Sequence, residues 1–135
     1  MKTVIKNHYT QNVIVESELN MKEAVVANKV DLRDADLRDA SLCDANLRGA
    51  DLCSVNLRGA DLHGADLRGA DLCGANLRGA NLRDVDLCGA NLRGANLRGA
   101  DLRGTDLRDA DLCDAEIKAT QKGTIINSIG LIIEV

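Results

Sequence analysis

Ala65-Asp66-Leu67-Arg68-Gly69, Ala70-Asp71-Leu72-Cys73-Gly74 and Ala75-Asn76-Leu77-Arg78-Gly79 repeat one five-residue pattern three times in succession. Followed outward in both directions, the pattern runs without a break from Val30 to Ala119, which makes 18 units. Every fifth residue from Leu32 to Leu112 is Leu, and Ile117 closes the series. Two places before it stands Ala in 14 units, with Val30, Val55, Val85 and Thr105 in the others. Between these two apolar places lies Asp or Asn, except at Ser41 and Glu116.

A period of five fits no long regular element. On a helix five residues advance about 500°, so successive Leu residues step about 140° around the axis and form no stripe. On a straight strand an odd period sends alternate Leu residues to opposite faces. A chain that turns once per unit satisfies the pattern, because every Leu and every preceding Ala then points to a common axis. The sequence therefore predicts an all-β solenoid. Gly and Asp share the fifth place, where Gly takes a positive φ freely and Asp bonds nearby backbone, so that place suits a corner. Val55, Val85 and Thr105 add volume at inward places, and Thr105 buries a hydroxyl that needs a partner.

The units of 30–119, such as Ala65-Asp66-Leu67-Arg68-Gly69, resemble those of the pentapeptide-repeat family over two thirds of the chain. The resemblance implies a right-handed quadrilateral β-helix with four units per coil, in which residue n stacks on n+20. Spacing alone leaves a three-unit coil open, with n stacked on n+15. With four units, the 18 units make about 4.5 coils. At a spacing of about 4.8 Å they form a rod of roughly 20 Å.

Such a rod needs caps at its ends. Residues 1–29 predict an N-terminal cap: a hairpin of Thr3 to Asn7 and Asn12 to Glu16 around His8-Tyr9-Thr10-Gln11, then a helix from Met21 to about Asn28. The helix opens with the capping-box form Asn20-Met21-Lys22-Glu23 and turns Val25 and Val26 toward the first coil. His8 is expected to be a surface turn residue. Openings of this kind precede the repeats in many short bacterial and phage-type members of the family. Residues 120–135 predict a C-terminal cap of strands, Thr124-Ile125-Ile126 and Leu131-Ile132-Ile133-Glu134-Val135, whose edge offers itself to a second copy.

Composition narrows the function classes. The 135 residues hold one aromatic, Tyr9, and no Phe, Trp or Pro, which argues against base-stacking nucleic-acid sites. Apolar runs are too short to span a bilayer, and the opening residues lack the apolar stretch of a signal peptide. A cytoplasmic location is expected, with the five Cys residues as reduced thiols. All five, Cys43, Cys53, Cys73, Cys88 and Cys113, stand at the outward fourth place. In a four-unit coil Cys53 stacks on Cys73 and Cys43 on His63, on opposite faces, so they assemble no four-ligand zinc site. Cys43 beside His63 resembles a nucleophile and base, yet a flat wall gives the pair no pocket and no oxyanion donors. Neither metal, cofactor nor catalysis is expected.

Charge is more informative. The column of units holding Leu32, Leu52, Leu72, Leu92 and Leu112 sums to -4, with Asp31, Asp51, Asp71 and Asp111 at its second place. The next column sums to +2 and carries Arg38, Arg58, Arg78, Arg98 and Lys118 at its fourth place. The other two columns sum to -2 and -1. Its only carboxylates, Asp36, Asp39 and Glu116, lie toward its ends, so the stretch Arg58 to Arg98 reads as the least neutralised. The expected function is a scaffold or protein-binding module with a rigid charged wall for an unidentified protein, without direct nucleic-acid or membrane binding. The alternative, which some members of the family imply, is a DNA mimic that binds a type II topoisomerase. Such a mimic needs a long, uniformly anionic rod. Its anionic face here would be Asp31, Asp51, Asp71 and Asp111.

Overall fold

The computed structural model describes residues 2–17, 19–29 and 32–118. Its repeats stack in parallel with a spacing of 20 residues: Asp51 pairs with Asp71, Asn56 with Asn76, Asp61 with Asn81 and Asp66 with Asp86, and the series continues to Asn96 with Glu116. A spacing of 20 residues is four units, which excludes the three-unit coil. Three intercoil hydrogen bonds per unit hold the stack. In the third coil the Leu72 N–H donates to the Asn91 carbonyl at 2.7 Å, Gly74 to Arg93 at 2.8 Å, and Asp71 back to Ala50 at 2.9 Å. The four sides of the coil are numbered walls one to four, from the units of Leu32, Leu37, Leu42 and Leu47 respectively.

Each corner is a tight turn. The N–H of each following Ala donates to the Leu carbonyl three residues earlier, as Ala75 does to Leu72 at 3.0 Å. The fifth place is the third residue of that turn and has a positive φ throughout, at Asp34, Asp39, Asp44, Ser54, Asp84, Asp109 and Asp114 as well as at the glycines. A type II turn requires this backbone, which explains the choice of Gly and Asp there.

Leu32 through Leu107 fill the axis and are at most 2% exposed, with Ala or Val packed beside them. The Thr105 hydroxyl, buried with them, donates to the Leu82 carbonyl at 2.7 Å. Leu112, Ala115 and Ile117 in the last described units are partly buried. The second place is half-buried in most units, and Asn56 there is 4% exposed. Its backbone carries the intercoil bridge and draws the side chain against the wall.

The N-terminal residues form a hairpin and a short helix, with ends shifted by about one residue from those expected. Strand β1 (Thr3–Lys6) pairs antiparallel with β2 (Val13–Ser17), with Ile5 opposite Val15 on the buried side. Helix α1 (Met21–Ala27) starts at Asn20, whose side chain accepts from the Glu23 N–H at 2.9 Å. Ala24 and Val25 are fully buried, and Val26 packs partly against the core. The hairpin docks on wall two: Asn7 bridges Ala35 antiparallel, the Asp36 N–H donates to the Lys6 carbonyl at 2.7 Å, and the His8 N–H donates to the Asp34 carbonyl at 2.6 Å. His8 stands in the hairpin turn, as expected, but is not fully at the surface. It is half-buried, and its Nδ1 accepts from the Asn56 side-chain amide at 3.2 Å. The strands expected over 120–135, and the pairing of a second copy through them, fall outside the described residues, as does Asp31. Among the described residues no helix is long and apolar enough to cross a membrane.

Candidate docking wall

The ladder of second-place residues Asp36, Asn56, Asn76, Asn96 and Glu116 is bridged coil to coil, which sets Arg38, Arg58, Arg78, Arg98 and Lys118 at one height each along wall two. All five side chains are exposed. What distinguishes them is the residue two places before. In four described units where it is Asp, the guanidinium folds back onto its own unit and makes a two-point pair. Arg38 reaches Asp36 through Nε at 2.8 Å and Nη2 at 2.7 Å, and the same fork joins Arg68 to Asp66, Arg103 to Asp101 and Arg108 to Asp106. Where it is Asn, the amide oxygen accepts the Arg backbone N–H and not the guanidinium, at 3.3 Å for Arg58 and 3.2 Å for Arg78. A neutral amide with one acceptor oxygen cannot take a guanidinium fork.

The consequence is a division among the arginines. Arg93 and Arg98 reach the coil above, to Asp111 and Glu116, each at 3.3 Å. Arg48, Arg58, Arg78 and Arg83, all preceded by Asn, form no ion pair among the described residues. On wall two this leaves Arg58 and Arg78, in adjacent coils, as the uncompensated stretch. Charge counting extended that stretch to Arg98, but the long Glu116 side chain spans one coil and covers it. Asp39, counted as a neutralising charge on this wall, instead lies over the backbone of Gly59, where a side-chain carbon would overlap its carboxylate.

Wall one carries the opposite charge. Arg33 lies 3.6 Å from Asp51. Asp71 accepts from the Cys73 N–H at 3.0 Å and the Asn91 amide at 3.1 Å and has no ion pair among the described residues. Asp111 pairs with Arg93.

The forks lower the carboxylate pKa. Hydrogen bonding from Arg68 and Arg103, opposed by slight desolvation, brings Asp66 and Asp101 each down to about 2, and Asp36 and Asp106 shift the same way beside Arg38 and Arg108. A carboxylate whose folded pKa lies below its unfolded value of about 3.9 stabilises the fold above that value and loses the contribution as pH falls through the folded pKa. Each pair is solvent-exposed and contributes little. The melting temperature should hold from neutral pH to about 5 and decline between about 4 and 2. In D66N/D101N the decline should be shallower, as read by circular dichroism melts across pH. An equally steep decline in the double variant would show that the forks do not stabilise the fold.

The thiols do not form the arrangement their stacking suggested. Cys43 gives its hydrogen bond to Asp61, which raises its pKa, while His63 Nδ1 donates to the Arg83 carbonyl at 3.1 Å. Desolvation raises Cys53, despite Arg33 Nη2 at 3.6 Å from its sulfur, and a hydrogen bond to Asp111 raises Cys113. Higher pKa values mean less thiolate, the reactive form. Among the described residues no three His, Cys, Asp or Glu side chains gather as metal ligands.

No curated protein matches the chain. Among solved structures, the pentapeptide-repeat protein Rfr23 from the cyanobacterium Cyanothece 51142 is 40% identical with a TM-score of 0.54, over 64% of this chain. The chain spans 56% of the Rfr23 chain. The pentapeptide-repeat protein alr5209 from Nostoc PCC 7120 is 37% identical, with a TM-score of 0.45, over 71% of this chain and 91% of its own. QnrB1, a plasmid-mediated fluoroquinolone resistance protein, is 19% identical with a TM-score of 0.30, over 76% of this chain and 70% of its own, a likeness that carries no functional argument. The family profile of pentapeptide repeats matches residues 31–69, 56–94 and 90–121 with 8 copies, and on that match the chain belongs to the pentapeptide-repeat family.

Proposed function

We propose that the protein is a non-catalytic binding module that docks an acidic protein segment on wall two through Arg58 and Arg78, with Arg38, Arg98 and Lys118 extending the contact. The coil is taken as right-handed and quadrilateral, as the family implies, and the cytoplasm as its working compartment. The supporting observation is the pair of adjacent exposed guanidinium groups without carboxylate partners among the described residues, beside an Asn ladder that leaves their donors open. Two charges held at about 4.8 Å repel one another, and an incoming carboxylate relieves that repulsion. The backbone behind them is fixed by intercoil hydrogen bonds, so only side-chain entropy is lost on docking.

Reversal of Arg58, Arg78 and Arg98 to Glu should abolish capture on immobilised poly-glutamate and leave the circular dichroism spectrum unchanged. Undiminished capture by the triple variant would overturn this reading. DNA mimicry is the weaker alternative, because the forked arginines neutralise much of walls three and four and wall two is basic. A type II topoisomerase supercoiling assay distinguishes the two: the binding-module reading expects no change on adding the protein.

A further inference from the structure

Wall one and wall two belong to consecutive units, and their charges have complementary vacancies. On wall one the second and third coils hold Asp51 and Asp71, where the fourth place offers Cys53 and Cys73 rather than arginines. On wall two the same coils hold Arg58 and Arg78, where the second place offers Asn56 and Asn76 rather than carboxylates. In these two coils each wall lacks, within its own units, the charge that the other presents, and Asp51 reaches only Arg33 of the coil before it, at 3.6 Å.

The geometry allows the two walls of different copies to meet. Consecutive units are stacked at the same level, because both repeat through the same 20-residue bridges. When wall one of one copy faces wall two of another with the coil axes parallel, the two chains cross the contact in opposite senses. The second place of one wall then lies opposite the fourth place of the other. Asp51 meets Arg58, Asp71 meets Arg78, and in the first coil Arg33 meets Asp36. The fourth coil sets neutral Asn91 against Arg98 and Arg93 against neutral Asn96, so no like charges face one another. Walls three and four also alternate acid and base, but Arg68, Arg103 and Arg108 there are already forked to their own aspartates, and the two arginines left without an ion pair among the described residues, Arg83 and Arg48, stand on different walls.

We infer that the occupant of wall two is wall one of a second copy of this chain, in parallel side-by-side association. The inference rests on the reading of wall two as a docking surface and names its partner. Adjacent walls of a four-unit coil face directions about 90° apart, so the contact repeats by a quarter turn and closes after four copies. The footprint is one strand wide and five coils tall, and its pairs are solvent-exposed, which places it among weak encounters that depend on concentration and salt.

Sedimentation velocity on the full chain tests this. At about 0.01 M salt, where the Debye length is about 30 Å, the weight-average mass should rise with concentration toward four chains, and at about 1 M salt it should fall to one. R58E/R78E alone and D51R/D71R alone should each weaken association at least tenfold. The protein carrying all four substitutions should recover it, since both charges are exchanged. Melting curves on each variant verify folding. A monomer at every concentration in low salt, or association that neither reversal weakens, overturns the inference. Poly-glutamate capture separates the two readings: a monomeric protein that still captures it through Arg58 and Arg78 keeps wall two as a docking surface and loses only the second copy as its occupant.

Discussion

Leu72→Asp leaves no folded protein. Leu72 is fully buried at the middle of the axis, in a core built of Leu, Ala and Val. Loss of the Leu contacts costs about 2 to 5 kcal/mol, and an unpaired carboxylate in that position costs several more. Together these approach the whole stability of a domain this size, about 5 to 15 kcal/mol. The solenoid transmits the loss, because each coil is a nearest neighbour of the next. Arg78→Ala, on the outside of the next unit, should change stability by no more than about 0.5 kcal/mol. Urea titrations followed by circular dichroism measure both, and a cooperative transition for Leu72→Asp near that of the parent would refute the inward placement of the third residue.

Gly104→Val should cost about 2 to 4 kcal/mol, the second largest effect expected of a single change. Gly104 has φ of +72°, where a β-branched residue is strained, and a side-chain carbon there would overlap the Asp84 carboxylate and approach its backbone nitrogen to 3.5 Å. Gly94→Val is the control. Its φ is +65° and nothing lies within 4 Å of the added carbon, so it feels backbone strain alone. The difference between the two variants therefore measures the overlap. Asp44 leans over Gly64 and Asp39 over Gly59 in the same way, so a carboxylate at one corner occupies the space that glycine leaves in the next coil. Equal losses in the two valine variants would show that Asp84 swings aside without cost.

The periodicity of Leu and Ala made the inward faces legible, since an inward residue has one requirement, burial, and it recurs every unit. The corners were legible from the Gly and Asp that recur at the fifth place, and Ser54 adopts the same backbone there, with φ of +56°. The number of units per coil was not, because hydrogen bonds between coils leave no mark on a repeat that is uniform along the chain. It needed the bridges from n to n+20. The partial burial of His8 was not legible, because its partner, Asn56, lies 48 residues away, and a hairpin turn shows no trace of such a contact in its own sequence. In the docking wall, summed charge per column located the ladder but not its open part. Pairing depends on reach and on whether Asp or Asn stands two places earlier, so Arg38 and Arg58, identical in the sum, differ in the structure.

The antiparallel bridge of Asn7 to Ala35 also sets a direction of growth. A bare first coil would template further coils from any chain with the same period, since its Asp36 N–H and Asp34 carbonyl would stand open to a parallel strand. The Lys6 carbonyl and the His8 N–H occupy them from a strand that runs the other way and carries one inward side chain, Ile5. A newcomer on that side meets β2, whose direction and spacing cannot continue a five-residue repeat. The hairpin thus acts as a terminator, and propagation of the stack into a fibre is blocked at this end by strand polarity.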